Sequence, residues 1–372
     1  MPIKPERPAG SPLFWHPSGQ WCKKIRGKHC YFGQVHADAL AKYNAEKQDL
    51  HAGRTPRGTA GELTVRSLCG RFLTTKRALL EAGELSQQTL LAYSTRCQEL
   101  GKVFRSRFVS DLGPDDFQKL RNSWAKRGWG PKTIANAVNR VRVIFNYAMK
   151  NGLLTKPIIY GEGFKRPSAK TLRLHRASRG VQMFEPAEIH RMIAAASQPL
   201  RTMILLGVNC GFGNADCGNL PLRALDLDRG WVNFPRPKTG IDRRCPLWPE
   251  TVQTLRDWLT VRPEPASDKS EGLVFITRFG APWHKDSTES PISREAARLL
   301  KTLGITGHRN FYALRHTFET IAGESRDQVA VDFVMGHVPR ASDMSAAYRE
   351  RISDARLQAV VDGVRAWLFG SK

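Results

Sequence analysis

The sequence predicts a mainly helical fold with a small β component, an α+β architecture split into domains. Three observations carry this. Apolar residues recur at helical spacing within residues 62–155, most clearly at Ile134, Val138, Val141, Phe145 and Met149. Helical spacing returns in residues 181–372, interrupted by one strand-like pair, Trp231–Phe234 and Arg244–Leu247. A chain of 372 residues exceeds what one core ordinarily organises, so two or three domains are expected.

Residues 1–61 form the first module and its linker. Phe14-Trp15-His16-Pro17-Ser18-Gly19-Gln20-Trp21 is followed by Lys23, Lys24, Ile25, Arg26, Gly27, Lys28 and Tyr31. Aromatic and basic residues broken by Pro-Ser-Gly and Arg-Gly-Lys turns predict a β-hairpin or a three-stranded sheet. A helix from about Ala37 to Leu50 should follow. Such a module either lays a basic ribbon, with Lys23 and Lys24, along a DNA groove or serves as a packing appendage. Residues 54–61, rich in Pro, Gly and Thr, read as a linker.

Residues 62–155 should be a helical domain. Ser86 is placed to cap a helix whose apolar face carries Leu90, Leu91, Leu100 and Val103. The stripe over Pro131–Asn151 ends at Gly152, a C-cap residue. Its opposite face carries Lys132, Thr133, Asn136, Asn139, Arg140 and Lys150, side chains suited to phosphates and base edges. Residues 156–180, rich in Lys, Arg, Pro and Gly, read as an extended basic connector, and residues 181–372 form the last domain.

Charge is concentrated in the first half. Residues 62–180 hold 23 Lys and Arg against 8 Asp and Glu; the balances are +6 over 1–61, +15 over 62–180 and +3 over 181–372. That asymmetry points to a polyanion partner. No apolar run approaches the ~20 residues of a membrane span, and the start MPIKPERPAG lacks a signal peptide's apolar core. A cytoplasmic, prokaryotic, DNA-associated protein is therefore expected. Seven scattered cysteines suit free thiols, and Cys22 and Cys30, with no CxxC pair beside them, give no metal site.

The chemistry gathers near the end. Phe311, Leu314, Phe318 and Ile321 should face a core, leaving Tyr312 and Arg315 one turn apart on a neighbouring face. Glu319 is spaced to pair with Arg315. A helix over Asp327–Met335, with Ala330, Phe333 and Val334 inward, should stop at Gly336 and leave His337 just beyond it. Tyr348 then precedes a closing helix marked by Leu357, Val361, Val364 and Leu368. An arginine that clamps phosphate, a histidine that donates to it and a tyrosine that attacks it suit phosphoryl transfer to a protein hydroxyl.

With the Leu314-Arg315-His316-Thr317-Phe318 phrase and the Gly336-His337 pair, this order resembles the tyrosine recombinase (phage-type integrase) family over roughly residues 62–370. The resemblance implies a helical core-binding domain and a mixed α/β catalytic domain clamping duplex DNA, with a small β-rich module like an arm-binding domain before them. It implies Tyr348 as nucleophile, forming a 3′-phosphotyrosine, Arg315 as second catalytic arginine and His337 as hydrogen-bond donor. Lys238, in Pro-Arg236-Pro-Lys238-Thr-Gly, would be the general acid, with Arg236, Arg243 and Arg244 crowding it and lowering its pKa.

It further implies integration or excision of mobile DNA by a homotetramer, without metal or cofactor, and with accessory DNA-bending proteins. Trp367-Leu368-Phe369 becomes a candidate for docking on a neighbouring protomer.

Three departures bear on activity. Tyr312 stands where the family has histidine, and the interval from His337 to Tyr348 is slightly long. Gly213, in Cys210-Gly-Phe-Gly213-Asn-Ala-Asp216, takes the place of the first catalytic arginine, with Asp216 replacing a structural glutamate. Losing one such cation costs on the order of 10³-fold. Either Arg243, Arg244 or Arg223 reaches in, or the enzyme is slow or inactive. A DNA-binding protein without catalysis and a type IB topoisomerase are the competing readings.

Overall fold

The computed structural model describes residues 5–53, 63–104, 107–285, 287, 289–339 and 343–370. The expected linker at 54–61 lies outside them. The architecture is α+β and mainly helical, with two small antiparallel sheets. The chain forms two compact units, Met1–Pro167 and Ser168–Lys372. No helix among the described residues is long and apolar enough to cross a membrane.

The first unit opens with a three-stranded sheet of Phe14–His16, Gln20–Ile25 and Lys28–Gly33, in that order. Arg26 and Gly27 both take positive φ (51° and 82°), which gives the second hairpin a two-residue turn matched to strand twist. The helix His36–His51 covers one face, burying Trp21, Ile25, Phe32, Ala39 and Tyr43. All seven cysteines are free thiols.

Four helices follow: Val65–Glu81, Gln87–Phe104, Pro114–Lys126 and Pro131–Lys150. In the last, Ile134, Val138, Val141 and Phe145 are buried as the stripe predicts. The Gly152 and Leu153 amides close it onto Met149 O and Ala148 O (3.1 and 2.8 Å), with Gly152 at φ +65°. Ser86 Oγ accepts from Thr89 N (3.3 Å) at the start of Gln87–Phe104. The face of that helix differs from expectation. Leu100 is buried as expected, but Val103 is exposed, Leu90 and Leu91 are only partly covered, and Arg96, Cys97 and Phe104 are buried beside Leu100. Arg96 can turn inward because Glu99 meets its charge and its guanidinium lies 5.0 Å from the Trp129 ring.

The connector 156–180 is more ordered than its composition suggests. Phe164 is fully buried against the four-helix core, and Ala169–Ala177 is a helix capped by Ser168, whose Oγ accepts from Thr171 N (3.1 Å). No side chain of that helix is buried, so no apolar period announces it.

In the second unit, Gln198–Asn209 runs through the core with nearly every side chain buried. Pro249–Thr260, Ala313–Ala322 and Asp354–Phe369 pack on it. The sheet joins Leu225–Asp226, Trp231–Asn233 and Arg244–Pro246, with Val232 opposite Cys245. Leu368 is buried, and Phe369 stacks on His190 (5.6 Å) and meets Trp248 edge-on (5.9 Å). Within Trp367-Leu368-Phe369, then, Leu368 is covered by its own unit, Trp367 partly so, and Phe369 keeps 36% of its surface exposed.

Candidate active site

Ala313–Ala322 approaches Gln198–Asn209 closely because residue 207 is glycine; a Cβ there would stand 2.9 Å from Leu314 Cδ1. The close approach carries Arg315 inside, to 2% exposure. Its Nη1 donates to Gly211 O (2.6 Å) and its Nη2 to Met335 O (2.7 Å). Burial lowers its pKa to about 10, with the neighbouring charges of Arg236 and Arg243 acting in the same direction, so it stays cationic at neutral pH. Glu319 is not its partner. One turn on, that carboxylate instead accepts from Gln328 Nε2 (3.2 Å) and lies toward His337.

Gln328–Met335 begins at Asp327, whose Oδ1 accepts from Ala330 N (3.1 Å), and ends at Gly336 in the left-handed region (φ +62°). The reversed chain lets His337 N donate back to Asp332 O (2.9 Å). The ring is oriented by the same residue: His337 Nδ1 lies 3.0 Å from Asp332 Oδ1 and 4.0 Å from Glu319 Oε2. One atom from each of these three side chains falls within 4.8 Å of the others, a spacing that suits a small cation. Gln328 already donates to both carboxylates (3.2 and 3.1 Å), so the group forms a hydrogen-bonded cradle for the imidazole. Sequence reasoning missed Asp332; a carboxylate five residues before a histidine that follows a helix-ending glycine was the available signal.

The hairpin between Trp231–Asn233 and Arg244–Pro246 brings the cations. Its tip is tight: Thr239 N and Gly240 N donate to Arg236 O (3.1 and 2.8 Å), leaving Lys238 exposed on the turn. Arg236 Nη1 and Thr239 Oγ1 both donate to Gly336 O (3.3 and 3.2 Å), tying the turn to the segment that presents His337. The expected crowd around Lys238 is thinner than the sequence suggests. Arg243 is buried, donating to Phe234 O (2.7 Å) and to Asp216 Oδ1 (2.6 Å), which takes it out of solvent. Arg244 turns the other way, over Trp231 (4.0 Å) and onto Asp354 (2.6 Å). Adjacent residues entering a strand face opposite sides, and each found a carboxylate.

Two of the sequence departures meet in space. Gly213 has φ −101°, a conformation open to any residue, so backbone freedom does not explain it. Space does: a Cβ there would stand 3.2 Å from two ring carbons of Tyr312. The glycine in that loop with a conformational reason is Gly211, at φ +63°. Asp216 caps the loop by accepting from Gly213 N (2.7 Å) while holding Arg243.

Tyr348 ends the short 3-10 turn Met344–Tyr348 and is 80% exposed, packed into no core. Its neighbours Ala346 and Arg349 line a cavity of about 1020 Å³ together with Ile241, Glu319, Asp332 and His337. Hairpin tip, histidine and tyrosine-bearing segment therefore border one space.

In the first unit, Lys132, Thr133 and Asn136 are exposed and Arg140 half-buried on the outer face of Pro131–Lys150. Lys23 and Lys24 separate: Lys23 Nζ lies 5.0 Å from the Tyr43 ring on the helix side, whereas Lys24 is exposed on the open sheet face. Strand alternation parts them, and only Lys24 stands free of the module's own helix.

Comparison with known proteins gives a consistent result. The family model described as "Phage integrase family" matches residues 182–350. The chain is 25% identical over 266 residues to tyrosine recombinase XerC of Alcanivorax borkumensis, covering 69% of this chain and 82% of that protein. Among solved structures, a lambda integrase tetramer bound to a Holliday junction aligns over 94% of this chain and 99% of its own, at 17% identity and TM-score 0.58. The Tn1549 transposon integrase in complex with a circular intermediate DNA aligns over 81% and 99%, at 16% identity and TM-score 0.58. These two likenesses concern the fold.

Proposed function

Since the chain belongs, through residues 182–350, to the phage integrase family of tyrosine recombinases, we propose that it is a site-specific DNA recombinase. In this reading it cuts and rejoins duplex DNA through a 3′-phosphotyrosine, acting as a tetramer in the integration or excision of mobile DNA. The lambda and Tn1549 integrases, bound to DNA in the structures that share this fold, support the choice of partner. The observation that carries it is the arrangement around Gly336. Arg315 and His337 are fixed on either side of that residue, and an exposed Tyr348 stands on a segment bordering the same cavity as His337.

The step balances as follows. Tyr348 Oη bonds to phosphorus as its proton passes to solvent, the bond from phosphorus to the 5′ oxygen breaks, and that oxygen takes a proton from the Lys238 ammonium. Arg315 and His337 hold the non-bridging oxygens as charge builds on them. Lys132, Thr133, Asn136 and Arg140 would grip the duplex, and Lys24 with the open sheet face would bind a separate arm.

The test is a nicked duplex drawn from DNA flanking the gene. Wild-type protein should form a covalent adduct that disappears in Tyr348→Phe. Gly213 favours a second reading, a protein that binds its site without cutting; specific binding with no adduct would establish that instead. Relaxation of plasmids that lack any target would point to a topoisomerase.

A further inference from the structure

The loss of arginine at 213 leaves a phosphoryl-transfer site one guanidinium short, and the structure offers four candidates to replace it. A replacement has to lie beside Arg315, carry a charge not already met by a carboxylate and remain within reach of bound DNA. Arg243 fails the last two conditions: its side chain is 1% exposed and paired with Asp216. Arg244 is drawn to Asp354 and Trp231. Arg223 is exposed on a separate turn, Leu222–Ala224.

Arg236 meets all three. It is half-buried, and its one described side-chain hydrogen bond is a long one, 3.3 Å from Nη1 to Gly336 O. Arg315 Nη2 donates to the preceding carbonyl, Met335 O, so two guanidinium groups are tethered to successive peptide units. The stem of Arg236 lies flat on Gly336; a Cβ at that glycine would come 2.8 Å from Arg236 Cβ and 3.2 Å from its Cδ. The same tight turn carries Lys238. The electrostatics agree, because Arg236 is the neighbouring charge that acts most strongly on Arg315.

We propose that Arg236 is a catalytic residue, the second guanidinium on the scissile phosphate, standing in for the arginine absent at 213. The assignment rests on the phosphotyrosine reading above. Tyr312 fits with it: its ring stands against Gly213, where even a Cβ would come within 3.2 Å of two ring carbons. The required cation reaches the phosphate from the hairpin.

The test uses full-length protein on a nicked cognate duplex with either a normal scissile phosphate or a methylphosphonate, which lacks the negative charge a guanidinium would neutralise. Arg236→Ala should cleave the phosphate on the order of 10³-fold more slowly than wild type. On the methylphosphonate the gap should shrink to about tenfold or less, as the missing counter-charge ceases to matter. Arg236→Gln, of similar length and neutral, should behave alike, and unchanged melting temperatures and gel-shift affinities would exclude misfolding. Wild-type rates in both variants, or an equal loss on both substrates, would overturn the assignment. A wild-type protein that forms no Tyr348-dependent adduct would overturn the recombinase reading and this assignment with it.

Discussion

The pair between Arg243 and Asp216 allows a quantitative prediction. Both side chains are nearly inaccessible, 1% and 8% exposed, and Nη2 to Oδ1 is 2.6 Å. Asp216 also accepts from Gly213 N (2.7 Å); Arg243 Nη1 is buried with no hydrogen-bond partner, and the guanidinium carbon lies 4.2 Å from the centre of the Phe212 ring. Replacing Asp216 with alanine leaves a buried cation without its counter-ion and an amide without its acceptor. Breaking a buried pair in this way costs about 3–5 kcal/mol.

In a unit of roughly 200 residues that converts to a melting temperature lower by about 6–20 °C. Removing both charges should hurt less. Asp216→Leu with Arg243→Met replaces the pair by apolar volume and should recover most of the loss. Calorimetry of the intact chain, read on the transition of Ser168–Lys372, completes the double-mutant cycle. If Asp216→Ala costs under ~1 kcal/mol, or the double variant is no better than the single, the pair does not hold this loop.

Three further outcomes follow from the site. Gly336→Ala places a side chain in the left-handed region, at about 1–2 kcal/mol, and pushes Arg236 aside, so cleavage should fall more than stability does; a purely thermal effect would refute the contact. Gly213→Ala sets a methyl group 3.2 Å from the Tyr312 ring and should destabilise alone, yet be close to neutral in a Tyr312→Ala background, as denaturant midpoints would show. Asp327 is held below the ordinary carboxylate value, chiefly by hydrogen bonds from Arg356 and also by Ala330 N. A lowered folded pKa means that its stabilisation is complete above the unfolded value near 3.8 and fades as pH falls below it. Asp327→Asn should flatten the acid limb of the stability curve below about pH 4; an unchanged limb would refute the linkage.

The parts of this fold that could be read from residues alone are those whose pattern has one physical cause. Ile134, Val138, Val141 and Phe145 recur because one side of a helix is buried, and Gly336 ends a helix because little else adopts its φ cheaply. Where two partners compete, the pattern is silent. Glu319 sits four residues from Arg315, yet the helix rotates it toward His337. Arg243 and Arg244 are chemically alike neighbours, and which one turns inward depends on Asp216, brought near only by the tertiary fold. Ala169–Ala177 buries nothing and so left no trace. Gly213 and Tyr312 read as unrelated in the sequence, because only the tertiary fold sets that ring 3.2 Å from where a Cβ at 213 would stand.

The tethers on Arg315 and Arg236 are main-chain carbonyl oxygens at Gly211, Met335 and Gly336, two of which cap the end of one short helix. A peptide oxygen brings a partial negative charge, about half a unit for a whole helix terminus, whereas an acidic side chain would bring a full one. The fold can therefore hold two like charges together without cancelling them. What results is a pair of guanidinium groups held on successive peptide units by backbone oxygens alone among their described hydrogen bonds. On the recombinase reading, free sulfate or phosphate should compete for this pair, and salts of such anions should slow DNA cleavage more than chloride at equal ionic strength.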